Sequence, residues 1–215
     1  FRKEVCRRTG ENVRNRTHNA VAERRLEQED YLSAGYHMEK AGRKLEGLEV
    51  YRRGASSYLC QGLPRAAVEC LENADSLSMS LTEEEFPIEK LWQLKSDLFN
   101  AYRMVGDWVR TREIALQHAD LSMELGKPQD AFKSRILAAD CKRMYGDYRG
   151  SLKELEEMDG QLKGTYAADN EIRKADNLSR IGRAEEALEA LDRAETILAS
   201  VKEDNLRIKV DYVHQ

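Results

Sequence analysis

Gly62, Gly126 and Gly182 are each followed by alanine five residues on (Ala67, Ala131, Ala187) and again twelve residues on (Ala74, Ala138, Ala194), and Gly42 has Gly47 and Gly54 at the same offsets. A glycine at a helix C-terminus takes the left-handed conformation that closes the helix without steric cost. Offsets of five and twelve lie one heptad apart, so the two small residues fall on one stripe of the next helix. There a neighbouring helix axis can approach to roughly 8–10 Å. The pattern predicts an all-α chain of helix-turn-helix units, a right-handed α-α superhelix of antiparallel helix pairs in the manner of repeat proteins.

Gly106, Gly146 and Gly164 continue the rhythm, so that a helix recurs about every twenty residues and two helices make a unit of about forty. Their offsets hold larger or polar residues (Thr111 and His118, Ser151 and Met158, Asp169), and these junctions are expected to pack less closely. The three prolines, Pro64, Pro87 and Pro128, all stand where a helix should begin. Thr82 with Glu85 reads as a capping box in the one long interval between turn glycines. Apolar residues recur at three and four, as in Leu91, Leu94, Leu98, Ala101 and Tyr102, and no strand-length stretch alternates. The expected helices, about eleven in all, span 2–27 with a break at Gly10, 29–41, 44–61, 64–79, 85–105, 107–125, 128–145, 148–162, 166–181, 183–201 and 204–213.

A 34% charged fraction and 7% aromatics suit a fold only two layers thick, whose core is thin and whose surface stays wet. One continuous domain is expected, with residues 1–43 as atypical N-terminal helices and 44–215 as the repeat array. The net charge of −4 conceals a basic first segment, because residues 1–27 hold eight Arg or Lys against four Glu. A solvated face against the rest of a larger protein explains that helix better than nucleic acid or membrane does, and the start at Phe1 suggests an excised fragment. No apolar run approaches the ~20 residues of a membrane span, and no signal-peptide pattern is present. Cys6, Cys60, Cys70 and Cys141 lack ligand spacing and read as buried thiols of a reducing cytoplasm. The acceptor triplets at Asn15 and Asn177 fall within helices and are discounted.

Catalytic chemistry is not signalled. Gly42 and Gly47 have the glycine spacing of a P-loop, but Leu48 and Glu49 stand where Lys and Ser/Thr would have to be. His18, His37, His118 and His214 are scattered over separate helices and read as partly exposed; paired carboxylates such as Glu156-Glu157 lie on charged helices without a pocket motif. The chain is therefore expected to be no enzyme and to need neither metal nor cofactor.

Tyr51, Ala55, Tyr58, Gly62, Ala67, Leu71 and Ala74 together resemble the tetratricopeptide repeat, with partial copies at Ala139, Gly146-Asp147-Tyr148, Leu155 and at Gly182, Ala187, Leu191, Ala194. The family's closing proline is absent, and the units exceed its usual thirty-four residues. Longer units of this kind are similar to the repeat arm that follows the ATPase in bacterial signal-transduction ATPases with numerous domains. Val13, Arg16, His18, Val21, Ala22 and Leu26 resemble that family's basic helix after the ATPase, residues 31–42 its next helix, and residues 119–128 a junction between its units.

If Gly62, Gly106, Gly146 and Gly182 mark the turns within pairs, the first-helix face displays Arg52, Arg53, Ser56, Gln93, Asn100, Arg103, Lys133, Asp140 and Arg143. Arg103 and Arg143 each precede a turn glycine by three residues and would form a basic ridge for a carboxylate, a phosphate or an acidic peptide. The candidate binding residues are Arg52, Arg53, Asn100, Arg103, Asp140 and Arg143. Positions that a chaperone-binding carboxylate clamp would fill with Lys and Asn hold others here, which disfavours chaperone C-termini. Two functions fit: the sensor and protein-interaction arm of a larger signalling or transcription-regulating ATPase, or a free-standing adaptor. Either implies a protein or peptide partner, with a small effector or self-association as further options and no direct membrane or nucleic-acid contact.

Overall fold

The computed structural model describes residues 2–201, with side chains from residue 10 onward. Among the described residues there are ten α-helices and no strand. Cα packing divides the chain into two compact units, residues 1–107 and 108–215. The first contains α1 (Arg2–Glu27), α2 (Tyr31–Lys40), α3 (Lys44–Cys60), α4 (Pro64–Ser78) and α5 (Ile88–Val105). The second contains α6 (Trp108–Glu124), α7 (Pro128–Met144), α8 (Tyr148–Glu157), α9 (Thr165–Arg180) and α10 (Ala184–Ser200). Within each unit every helix packs on the next in sequence.

The turns are short and alike. Gly62 lies at φ +73°, and the N–H of Leu63 then donates to the Tyr58 carbonyl five residues back at 2.8 Å. That bond satisfies a carbonyl that the ending helix would otherwise leave open. Arg43, Asp107, Lys127, Asp147 and Arg183 repeat it, each one residue beyond a left-handed glycine. Two or three residues between helices thus reverse the chain, and Pro64 and Pro128 occupy the first turns of their helices, where a missing N–H costs nothing.

Beyond each turn the expected stripe is buried. Ala67, Ala74, Ala131, Ala138 and Ala194 have no exposed surface, and Ala187 is nearly covered. The tightest approach lies among α2, α3 and α4: a Cβ built on Gly54 would stand 2.4 Å from the Tyr31 Cβ and 3.2 Å from the Cys70 Sγ. On the opposite helix a Cβ on Gly35 would meet the Tyr51 ring at 2.6 Å. In the second unit, Ile136, Ala139, Leu155, Met158 and Leu162 form one core cluster, while Leu152, Ala175, Leu178, Ala187 and Ala190 form another.

Several sequence expectations are corrected. Helix α1 runs through Gly10 without a break, because a single glycine costs a helix interior only about 1 kcal/mol. Helix α8 ends at Glu157 rather than 162: its left-handed closing residue is Gly160, and Gly164 instead precedes α9 as its N-cap. Thr82 and Glu85 do form a reciprocal box, Glu85 Oε2 accepting from the Thr82 N–H at 2.9 Å, but it closes a separate turn before α5 begins at Ile88. Thr111, His118, Ser151 and Met158 are all buried, yet α7 and α8, joined at Gly146 without the alanine pair, pack on each other less extensively than α3 with α4, α6 with α7 or α9 with α10, as expected. Ser151 bonds instead to the helix that follows, the Asn177 amide of α9 donating to its Oγ at 3.0 Å. Cys70 and Cys141 are buried as expected, whereas Cys60 is exposed at the end of α3. The expected helix at 204–213, Cys6 and His214 lie outside what is described.

Overpacking should expose the stripe directly. Gly54→Ala and Ala67→Leu are each expected to lower unfolding stability by about 1–3 kcal/mol, read from the urea midpoint, whereas Glu185→Leu on an exposed surface of α10 should leave it nearly unchanged.

Candidate functional site

In each unit an ion pair joins two helices that are two apart in the chain, α7 with α9 in the second and α3 with α5 in the first. In the second unit, Asp140 of α7 accepts from Arg143 Nε at 2.6 Å and from Arg173 of α9 at 2.9 Å. Arg143 extends its other arm to Asp176 at 2.9 Å, and Arg173 also reaches Asp169 at 3.1 Å. Arg180 adds to Asp176 at 3.5 Å. The spacing dictates the assembly: residues 169, 173, 176 and 180 recur at four, three and four, one stripe of a helix. Burial alone would raise the Asp140 pKa, but the Arg143 hydrogen bond and the charges of Arg173 and Arg143 outweigh it and hold the carboxyl below its ordinary value. Three carboxylates and three guanidiniums alternate, so the cluster carries no net charge.

In the first unit Arg52 of α3 reaches Asp97 of α5 at 3.3 Å, with Glu49 at 3.8 Å. Arg53 turns the other way and lies over the Tyr31 ring of α2, 5.4 Å from its centroid. Asn100 is exposed and donates only to the Ser96 carbonyl of its own helix at 2.9 Å. Arg103 is exposed and makes no ion pair among the described residues. The structure therefore brings Asp140 and Arg143 together and ties Arg52 to α5. Arg103 belongs to the first unit and Arg143 to the second, and they differ in kind: Arg103 presents an open guanidinium, while Arg143 braces α7 against α9.

Sequence reasoning overlooked the buried polar positions. Lys95 is almost fully covered and contacts Asp75 at 2.7 Å, joining α5 to α4. Lys174, equally covered, lies 2.5 Å from both Asp159 and Glu171, and Glu171 also accepts from Arg193 at 2.8 Å. This chain of charges lines a pocket of about 340 Å³ in the second unit, walled otherwise by Leu162, Ala167 and Ile197. His118, expected to be partly exposed, is buried 2.8 Å from Ser134 Oγ, and burial lowers its pKa, favouring the neutral ring. Burial likewise pushes the Cys70 thiol up to about 12, which leaves a packing group rather than a nucleophile. A Lys in a charged helix reads as solvated, and nothing local distinguishes the one that a facing carboxylate covers. No group of three or more potential metal ligands occurs among the described residues, and no described helix is long and apolar enough to cross a membrane.

None of the protein-family models and none of the curated proteins compared with the chain match it in sequence. Solved structures do match in shape. A putative kinesin light chain with nearly identical TPR-like repeats from Podosopora anserina superposes with a TM-score of 0.58 at 18% identity, over 88% of this chain and 97% of that one. BtubC (BKLC) from P. vanneervenii gives 0.57 at 17% identity, over 85% and 79%. The apo form of RapI gives 0.60 at 11% identity, over 98% of this chain and 60% of that one. The fold is that of a tetratricopeptide-like helical repeat. At these identities the likeness concerns the backbone, and a TPR-like backbone is a scaffold on which function depends on the side chains displayed.

Asp140→Asn is expected to destabilise the second unit by about 1–3 kcal/mol at neutral pH, since it weakens two charge-assisted hydrogen bonds at once. Because the folded-state pKa of Asp140 is depressed, its contribution is complete above the ordinary value of 3.8 and is lost as pH falls through the folded value. Urea denaturation of both proteins as a function of pH should show the difference narrowing in acid.

Proposed function

We propose that the chain is a non-catalytic binding module, the cytoplasmic sensor and protein-interaction arm of a larger signalling or transcription-regulating ATPase. One observation carries the binding reading: on the odd-helix side of the first unit, Asn100 and Arg103 project into solvent, beside an Arg52 already held by Asp97. An open guanidinium and an open amide next to a braced helix pair suit a carboxylate- or phosphate-bearing segment of a protein partner. Asp140 and Arg143 are committed to each other and to α9, and brace the second unit. Arg53, spread over Tyr31, offers its remaining donors at the edge of the same surface. The TPR-like backbone of the solved neighbours supports a recognition role. The ATPase context rests on the likeness of residues 13–26, 31–42 and 119–128 to the arm of such regulators.

The test combines binding with context. A partner captured on the full chain should lose at least about tenfold in affinity with Arg103→Glu and Asn100→Asp, while circular dichroism and melting temperature stay unchanged. An unaltered dissociation constant would exclude this surface. The isolated chain should not bind ATP in a calorimetric titration, and the parent reading frame should encode a P-loop domain before Phe1. A start codon immediately before Phe1 would instead identify a free-standing adaptor.

A further inference from the structure

The two histidines His18 and His37, on α1 and α2, meet with their Nδ1 atoms 2.8 Å apart and their ring centroids 5.0 Å apart. Two imidazole nitrogens at that distance must share one proton: one ring donates N–H and the other offers a lone pair. The contact survives with both rings neutral, or with one charged. It does not survive a second proton, which would turn two N–H groups and two positive charges toward each other. Neighbouring groups do not relieve that repulsion. Arg25 of α1 is a further cation near His37, and Asp30, a carboxylate opposing it, already accepts from the Ser33 N–H and pairs with Arg25 at 3.3 Å. On the remaining side the Tyr36 ring packs edge-on against His37, and Arg43 at the head of α3 is bound to Glu46 and Asn19.

Helix α1 packs along α2 about as extensively as α2 packs on α3. Among its residues with described side chains only Ala22 is buried, and its polar ties include Arg43 to Asn19 and Arg25 to Asp30. We propose that the His18–His37 contact is a proton-gated joint: the basic helix α1 is docked on α2 at neutral pH and released when acidification places a proton on both rings. The direction agrees with the titration of His37. Burial, then His18, then Arg25 lower its pKa against a smaller opposing effect of Asp30, so docking favours the neutral ring. The contribution is complete above the ordinary value of 6.5 and is lost as pH falls below it. The joint does not depend on any partner of the odd-helix surface.

Amide hydrogen exchange on the full chain tests this, with protection corrected for the intrinsic pH dependence of exchange. Between about pH 7.5 and about pH 5.5, α1 should lose about tenfold or more of its protection, the equivalent of one pK unit, while α3 and α4 keep theirs. In His37→Gln and, separately, in His18→Gln, that ratio between the two pH values should fall to near one, whatever the absolute level. Equal α1 protection at both pH values in the unaltered chain, an α1 already unprotected at the higher pH, or the same decline in both variants would each overturn the joint.

Discussion

The packing within each unit depends on how closely two helices approach at the positions five and twelve residues beyond a turn glycine. A turn of two or three residues leaves the chain no slack, so consecutive helices must lie nearly in contact, and anything larger than a small side chain at those positions has to be accommodated by its neighbour. Alanine and glycine meet this by size, most severely at Gly54 against Tyr31. After Gly146, where Ser151 and Met158 take those places, the contact of α7 with α8 is less extensive and Ser151 bonds to Asn177 of α9 instead. The constraint is therefore geometric before it is hydrophobic, and small side chains satisfy it most closely.

Charge then orders what the turns bring together. With so thin an apolar core, helices two apart are linked through carboxylate and guanidinium groups at their shared edge. The cluster running from Asp140 to Arg180 is internally neutral, so it stiffens the α7 and α9 pair without creating a field that would attract one sign of ligand. The first unit spends fewer of its charges in this way and leaves Arg103 open. Recognition and rigidity are thus divided between residues that look interchangeable in a linear reading.

Most of the fold was legible from the chain. Turn glycines, helix-opening prolines and three-four apolar spacing placed nine described helices within a few residues at each end, because those signals are local and act through backbone conformation. The eighth helix was read too long because Gly160 and Gly164 both have positive φ and only one of them closes a helix. The division after Asp107 had no signature, since Gly106-Asp107 has the same bonds as every other turn. Of the candidate site, the positions were legible and the states were not: Arg103 and Arg143 occupy equivalent places before a turn, but whether a guanidinium is open depends on carboxylates such as Asp176, thirty-three residues further along. Lys174 was overlooked and His118 misjudged for the same reason, as burial of a polar group is decided by helices distant in sequence.

The two longer connections, residues 79–87 and 158–164, have a bearing on how such a chain can change. A residue added at Gly62-Leu63 or Gly182-Arg183 would rotate the following helix by about a hundred degrees relative to its predecessor and carry its small stripe out of the contact. Between α4 and α5, and between α8 and α9, several residues intervene, and an extra one can be absorbed without turning either helix. Inserted residues or grafted epitopes are accordingly best accommodated at those two places, while the short turns within each unit transmit a change in length directly into the packing.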